Sequence, residues 1–198
     1  MSGCTLIVDL RSYWHAGAGR GGGAVLDAVV HRDGNGLPVL PGRHLKGLLR
    51  DALERAEAYQ WPGYTNLATR VFGARAGADR SPDSVATVRV GDAALPDELT
   101  AWLAGTSEGR ALIPNLYRGI YATAVDHDTG TARDMSLRGI EVTVPLELRA
   151  RIEPVSADGP PPEGWADHLR DVLPLIDAVG AHRTRGLGRA VLSLEETA

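Results

Sequence analysis

The sequence predicts an α+β fold with helices on one face of an antiparallel sheet, and a ferredoxin-like core is the leading arrangement. Two observations carry this. The elements read strand, loop, helix, strand, then strands, helix, strand. The helix after the first strand has one continuous apolar stripe, so it expects to bury one side only.

Cys4–Tyr13 alternates apolar and polar residues, as a half-buried strand does. Gly17–Gly23 is a glycine-rich loop. Ala24–Val30 is apolar except for Asp27 at its centre. Asp33-Gly34-Asn35-Gly36 is a turn signal, and Val39-Leu40 is a short extension before Pro41-Gly42. Over His44–Tyr59, the residues Leu45, Leu48, Leu49, Ala52, Leu53 and Ala56 recur at helical spacing. Tyr64–Gly73 reads as a short helix or turn, Arg75–Ser84 as a flexible loop and Val85–Val90 as a strand. Pro96–Ala104 is a short helix with Asp97 and Glu98 in its first turn. Tyr117–Val125 and Arg138–Ile152 are strand-rich and flank a polar hairpin tip, Asp126–Asp134. Ser156–Glu163 is a Pro/Gly linker. Trp165–Val179 is a helix interrupted near Pro174. A second glycine-rich loop, Gly180–Arg189, leads into a final strand, Ala190–Glu195.

Composition narrows the function classes. The 198 residues suffice for one domain with a real core, or two small ones. A net charge of −4 excludes a generally basic nucleic-acid binder, so any such surface must come from locally clustered arginines. The single cysteine, Cys4, excludes a disulfide framework and a cysteine-based metal cluster. No signal pattern opens the chain, and no apolar run approaches the roughly 18 residues of a membrane span. A cytoplasmic protein without a membrane partner is expected.

The most informative stretch is Gly36–Arg50, G-L-P-V-L-P-G-R-H-L-K-G-L-L-R. It holds Lys46, the only lysine among 21 basic residues. Arg43, Lys46 and Arg50 form a basic ridge at a helix start, where the macrodipole favours negative charge. Free backbone N–H groups and basic side chains together attract anions, phosphate above all. Glu54 and Glu57 lie toward the other end, again against the dipole. The late loop, G-A-H-R-T-R-G-L-G-R-A, groups His182, Arg183, Arg185 and Arg189 around Gly180, Gly186 and Gly188. Glycines permit close backbone approach, and arginines bind phosphate bidentately. No Gly-Lys-Ser/Thr follows, so this is not a P-loop, and a strand rather than a helix follows, so it is not a dinucleotide fingerprint. Asp27 is a carboxylate in an apolar run: either an exposed edge position, a partner for an arginine, or a functional acid. His15 follows the first strand. The pairs His31/Asp33 and Asp126/His127/Asp128 lack the spacing of metal ligands, so no dedicated protein metal site is expected. Nothing resembles a Gly-x-Ser-x-Gly elbow or a cysteine nucleophile.

Together these stretches resemble the RAMP superfamily of CRISPR-associated proteins, and most of all the backbone subunits of type III effector complexes. The resemblance is carried by S-Y-W-H-A-G-A-G (Ser12–Gly19), Leu26–Arg50, V-F-G (Val71–Gly73), V-R-V-G-D-A (Val88–Ala93), Ala124–Pro145 and R-T-R-G-L-G-R (Arg183–Arg189). The Pro-Gly-x-x-Leu-Lys-Gly corner combined with a late glycine-rich loop is specific. Family members often carry small hydroxyl residues after Pro-Gly, where this chain has Arg43-His44.

The resemblance implies a single RNA-recognition-like domain over residues 1–198, with insertions at about 14–36 and 110–140. It implies assembly with copies of itself or other CRISPR effector subunits along a guide RNA that pairs with target RNA. Arg43, His44, Lys46 and Arg50, with His182, Arg183, Arg185, Gly186, Gly188 and Arg189, would hold the guide. His15, Arg20, Arg32 and Arg133 would be secondary contacts. The Asp126–Asp134 hairpin matches a thumb-like insertion that wedges the guide–target duplex. By position, Asp27 matches the aspartate that cuts target RNA. Cleavage aligns a ribose 2′-OH with the adjacent phosphorus, and a carboxylate accepts that proton or helps place Mg or Mn. Three functions follow: a backbone subunit that cleaves target RNA, a purely structural RNA-binding subunit, or a guide-processing endoribonuclease with His15 as general base.

Overall fold

The computed structural model describes residues 3–23, 26–75, 85–155 and 159–196. In chain order its elements are β1 (Cys4–Leu10), α1 (Gly42–Ala58), α2 (Leu67–Phe72), β2 (Val88–Val90), α3 (Asp97–Gly105), α4 (Ser107–Leu112), β3 (Tyr117–Ala122), β4 (Arg138–Thr143), β5 (Glu147–Pro154), α5 (Trp165–Val172) and β6 (Ala190–Glu196). The main sheet runs β2-β5-β1-β6, all antiparallel. With α1 and α5 as the two crossovers, this is the ferredoxin-like order expected. The loop read at Arg75–Ser84 lies outside the described residues from residue 76 on, as does the start of the linker at 156–158.

Strand alternation sets the layers. Leu6 faces Ala150 and Leu194, and Val8 faces Leu148 and Leu192. Leu6, Val8, Leu148, Ala150 and Ile152 are fully buried on the helix side. Glu147, Arg149, Arg151 and Glu153 line the opposite, exposed side of β5. All six stripe residues of α1 are buried against this sheet and α5. Each buried leucine contributes on the order of 2 kcal/mol. α5 stops at Val172 and a single 3-10 turn carries Pro174, the interruption expected there, but the helix expected to run on to Val179 does not resume.

Two further features differ from the expectation. The helical stretch after Asp97 continues as α4, which the Thr106 hydroxyl caps by accepting the Gly109 N–H at 2.9 Å. The first strand ends at Leu10 rather than Tyr13, because the chain leaves the main sheet there. Trp14 then exchanges two backbone hydrogen bonds with Thr143 of β4, at 3.1 and 2.8 Å.

That crossing joins the core to a second sheet, the β3–β4 hairpin inserted between β2 and β5. Segment 26–30 lies along the other edge of β4, with Ala28 in a parallel bridge to Ile140. The Glu141 N–H donates to the Ala28 carbonyl at 2.9 Å, and the Asp27 N–H donates to the Gly139 carbonyl at 2.7 Å. The apolar run around Asp27 is therefore a third strand-like rail of the hairpin.

Candidate nucleic-acid interface

The corner at Pro41-Gly42 is fixed from behind. Leu40 and Ala93 exchange two backbone hydrogen bonds of 2.9 Å. A Cβ on Gly42 would lie 2.4 Å from the Val90 carbonyl oxygen, so only glycine lets the helix begin this close to β2. The opening amides of α1 are largely engaged. Asp92 accepts the Gly42 N–H at 2.7 Å, and the Pro41 carbonyl accepts the N–H groups of His44 and Leu45. Of the backbone amides the sequence offered to an anion, the first is thus taken by the protein's own carboxylate and two more by the Pro41 carbonyl. Attraction for phosphate rests instead on the side chains.

Those side chains divide. Arg43 is exposed and Lys46 half-buried. Burial, and then the Arg50 charge, lower the Lys46 pKa, and no carboxylate pairs with it among the described residues. Arg50 has a different task from the expected one. It is 9% exposed, its guanidinium donates to the Gly73 carbonyl at the end of α2, and it lies 3.6 Å from Glu54. It closes a helix end rather than facing solvent. Glu54 also binds Arg75, and Glu57 accepts the Asn66 N–H at 2.8 Å, so the acids placed against the dipole are spent on neighbouring segments.

The second glycine loop meets this corner directly. The Gly180 N–H donates to Nε2 of His44 at 2.8 Å, across 136 residues of sequence. Because the donor is a backbone amide, Nε2 is unprotonated and the ring is neutral. Burial, and then the Arg183 charge, hold the His44 pKa below its usual 6.5. Gly180 has φ +83°, and a Cβ there would lie 2.6 Å from the His15 carbonyl oxygen. That same carbonyl accepts the Ala181 N–H at 2.8 Å.

The rest of the loop is presented outward. His182, Arg183, Arg185, Gly186 and Arg189 are exposed. Gly188 is not: it is buried, and its N–H donates to the Tyr13 carbonyl at 2.7 Å, which makes it an anchor. His182 and Arg185 line, with Arg138 and the apolar Ile120, Ala122 and Ile140 of the hairpin, a groove of about 490 Å³. The loop therefore stands between the helix corner and the inserted hairpin, with cations on both flanks.

The secondary candidates fare differently. Arg20 and Arg133 are exposed. Arg32 is committed: it pairs with Glu141 at 2.5 Å and lies 3.7 Å over the Tyr117 ring, a cation–π contact. His15 is 3% exposed, with Nδ1 2.6 Å from the Glu141 carbonyl, so it does not reach a substrate from solvent. Asp27 is exposed on its rail, and its Oδ2 accepts the Gly139 N–H at 2.8 Å. No arginine pairs with it among the described residues. Asp126 scaffolds the hairpin tip by accepting from Asp128 and Thr129, contacts that lower its pKa.

Glu141 is the residue that sequence reasoning missed. Its carboxylate accepts the Val30 N–H at 3.1 Å and pairs with Arg32, while its backbone holds Ala28 and His15. In I-E-V-T it reads as an ordinary strand position, and nothing in the sequence marks its side chain as largely covered.

Among the described residues no group of three His, Cys, Asp or Glu that could hold a metal ion comes together. The open sheet face carries no aromatic residue on β1, β2, β5 or β6, so it lacks the stacking platform of sheet-reading RNA-recognition domains. No helix is long and apolar enough to cross a membrane, among the described residues.

The family model of the RAMP superfamily matches residues 8–191. Among solved structures, the chain is similar to one in the cryo-EM structure of the type III-B Cmr-beta bound to cognate target RNA. The TM-score is 0.73 at 12% identity, covering 98% of this chain and 97% of that one. It is similar also to a chain of type III-B Cmr-beta in the apo state, with a TM-score of 0.66 at 11% identity over 99% and 97% of the two chains. At such identities the likeness is one of fold. No curated protein matches the chain.

Proposed function

The chain belongs to the RAMP superfamily, and from that premise we propose that it is a guide-RNA-binding backbone subunit of a type III CRISPR effector complex, cleaving bound target RNA in antiviral defence. One observation carries the binding half. The Gly180–His44 hydrogen bond brings the two basic segments, remote in sequence, into one surface bearing Arg43, Lys46, Arg183, Arg185 and Arg189. Such a surface attracts a phosphate backbone without reading bases. The fold likeness to a chain from a target-bound type III-B assembly supports the same reading. Its partners would be guide RNA, target RNA, and copies of itself or other effector subunits.

Cleavage is assigned to Asp27. Its carboxylate would accept the 2′-OH proton as that oxygen attacks the adjacent phosphorus and the 5′-oxygen leaves. Neighbouring arginines would offset the charge developing on the phosphate. A divalent ion, Mg or Mn, held beside the carboxylate would assist the same step as a Lewis acid. In the assembled complex, Asp27→Asn is expected to cut target RNA at least about 100-fold more slowly while still binding it. Cutting at the wild-type rate would remove Asp27 from the chemistry.

A second reading has an observation in its favour. The Asp27 carboxylate already binds the Gly139 N–H, so it has a structural task as well. A purely structural RNA-binding subunit would bind guide RNA and leave target RNA intact whatever stands at residue 27. The guide-processing reading loses its base, because His15 is buried.

A further inference from the structure

Resting on the RNA-binding reading above, we propose that His44 is a latch: its ring fixes the glycine-rich loop against the α1 corner and so sets the spacing between the two groups of cations that hold RNA. It is a positioning residue, not an RNA contact. The family resemblance placed His44 among the guide-holding residues. The structure spends its Nε2 on the Gly180 amide, at 2.8 Å.

Gly180 is gripped from two sides. On one side the His44 ring accepts its N–H. On the other it presses on the backbone of His15, whose carbonyl accepts the next amide, Ala181. His15 in turn bonds to the Glu141 carbonyl of the hairpin at 2.6 Å. Helix corner, glycine loop and hairpin root are thus joined through consecutive contacts, and His44 is the only member of that series on the helix. The loop beyond Gly180 is exposed from Ala181 to Gly186. Without the latch the near end keeps only the Ala181–His15 bond and the Val179–Gly188 bond that closes the loop base, and loses its tie to α1, while the far end stays fixed where Gly188 and Arg189 bond Tyr13 and Ser12. Loosening one end of a cation-bearing loop raises the ordering cost of binding.

The test compares His44→Gln, which keeps an acceptor near the Nε2 position, with His44→Leu, which fills the half-buried site and offers none. Two measurements are made on the full chain: amide exchange at Gly180, and affinity for an unstructured single-stranded RNA. The expected result is slow exchange and near-native affinity for His44→Gln. For His44→Leu, exchange should be faster and binding about fivefold weaker, the worth of one hydrogen bond. In an Arg183→Ala/Arg185→Ala background, His44→Leu should weaken binding no further, because it acts through those arginines. A loss that persists in that background makes His44 a direct contact and overturns the proposal. So does a glutamine variant as weak as leucine, or Gly180 exchange unchanged by leucine. RNA affinity indifferent to all these variants overturns the RNA reading itself, while exchange at Gly180 still decides the latch.

Discussion

Glu141→Ala removes the carboxylate on which the Asp27 rail depends, and its cost can be worked from the contacts. The Glu141 side chain is 12% exposed and serves two donors. Val30 is buried, and its N–H would lose its acceptor, a loss of about 1–3 kcal/mol. The Arg32 guanidinium is partly solvated and keeps the Tyr117 ring, so its lost ion pair adds at most about 1 kcal/mol. The sum is about 2 kcal/mol, which for a chain of this length lowers Tm by about 4–8 °C. Glu141→Gln keeps a neutral acceptor for both donors and should fall in between. Thermal unfolding followed by circular dichroism measures all three proteins, and target cleavage in the assembled complex should fall in the same order, because Asp27 sits on the loosened rail. An alanine variant that melts within about 1 °C of wild type would refute the idea that Glu141 organises this region.

Three further outcomes are expected. Gly180→Ala forces a Cβ to 2.6 Å from the His15 carbonyl at φ +83°, so it should destabilise the protein by about 1–3 kcal/mol, read in a urea midpoint. Asp92→Ala leaves the first amide of α1 without its acceptor and should cost about 1 kcal/mol, read the same way. The His44 imidazole should titrate by NMR below its usual 6.5. Between that lowered value and 6.5 the unfolded chain binds a proton that the native ring refuses, so stability is complete above 6.5 and declines as pH falls through the window. His44→Gln should remove that part of the decline.

What the sequence made legible follows from how local each signal is. The α1 stripe and the break at Pro174 depend on residues within a turn or two of each other, and both stand in the structure. The turn at Asp33 was equally plain, and its carboxylate accepts the N–H groups of Asn35 and Leu37 at 2.8 Å each. Charge alone did not reveal the intramolecular partners of Arg50 and Arg32. A long side chain beside a stripe can turn inward when a carbonyl or carboxylate waits there, and both residues found one. The α1 amides looked free because Asp92, which fills the first of them, lies fifty residues downstream. The union of His44 with Gly180 spans still more of the chain, and Glu141 sits in a strand whose letters give no hint of burial. Pairings of that range have no periodicity to betray them.

The root of the inserted hairpin is clamped on several sides: to Trp14 at Thr143, to His15 at Glu141, and to the Asp27 rail at Gly139 and Glu141. Mechanically this is a cantilever. Residues 123–137 overhang the clamp, and bending concentrates just beyond it rather than at the root. Lengthening or shortening the turn at Thr129-Gly130 would alter how far the beam reaches while leaving its anchorage, and the position of Asp27, where they are.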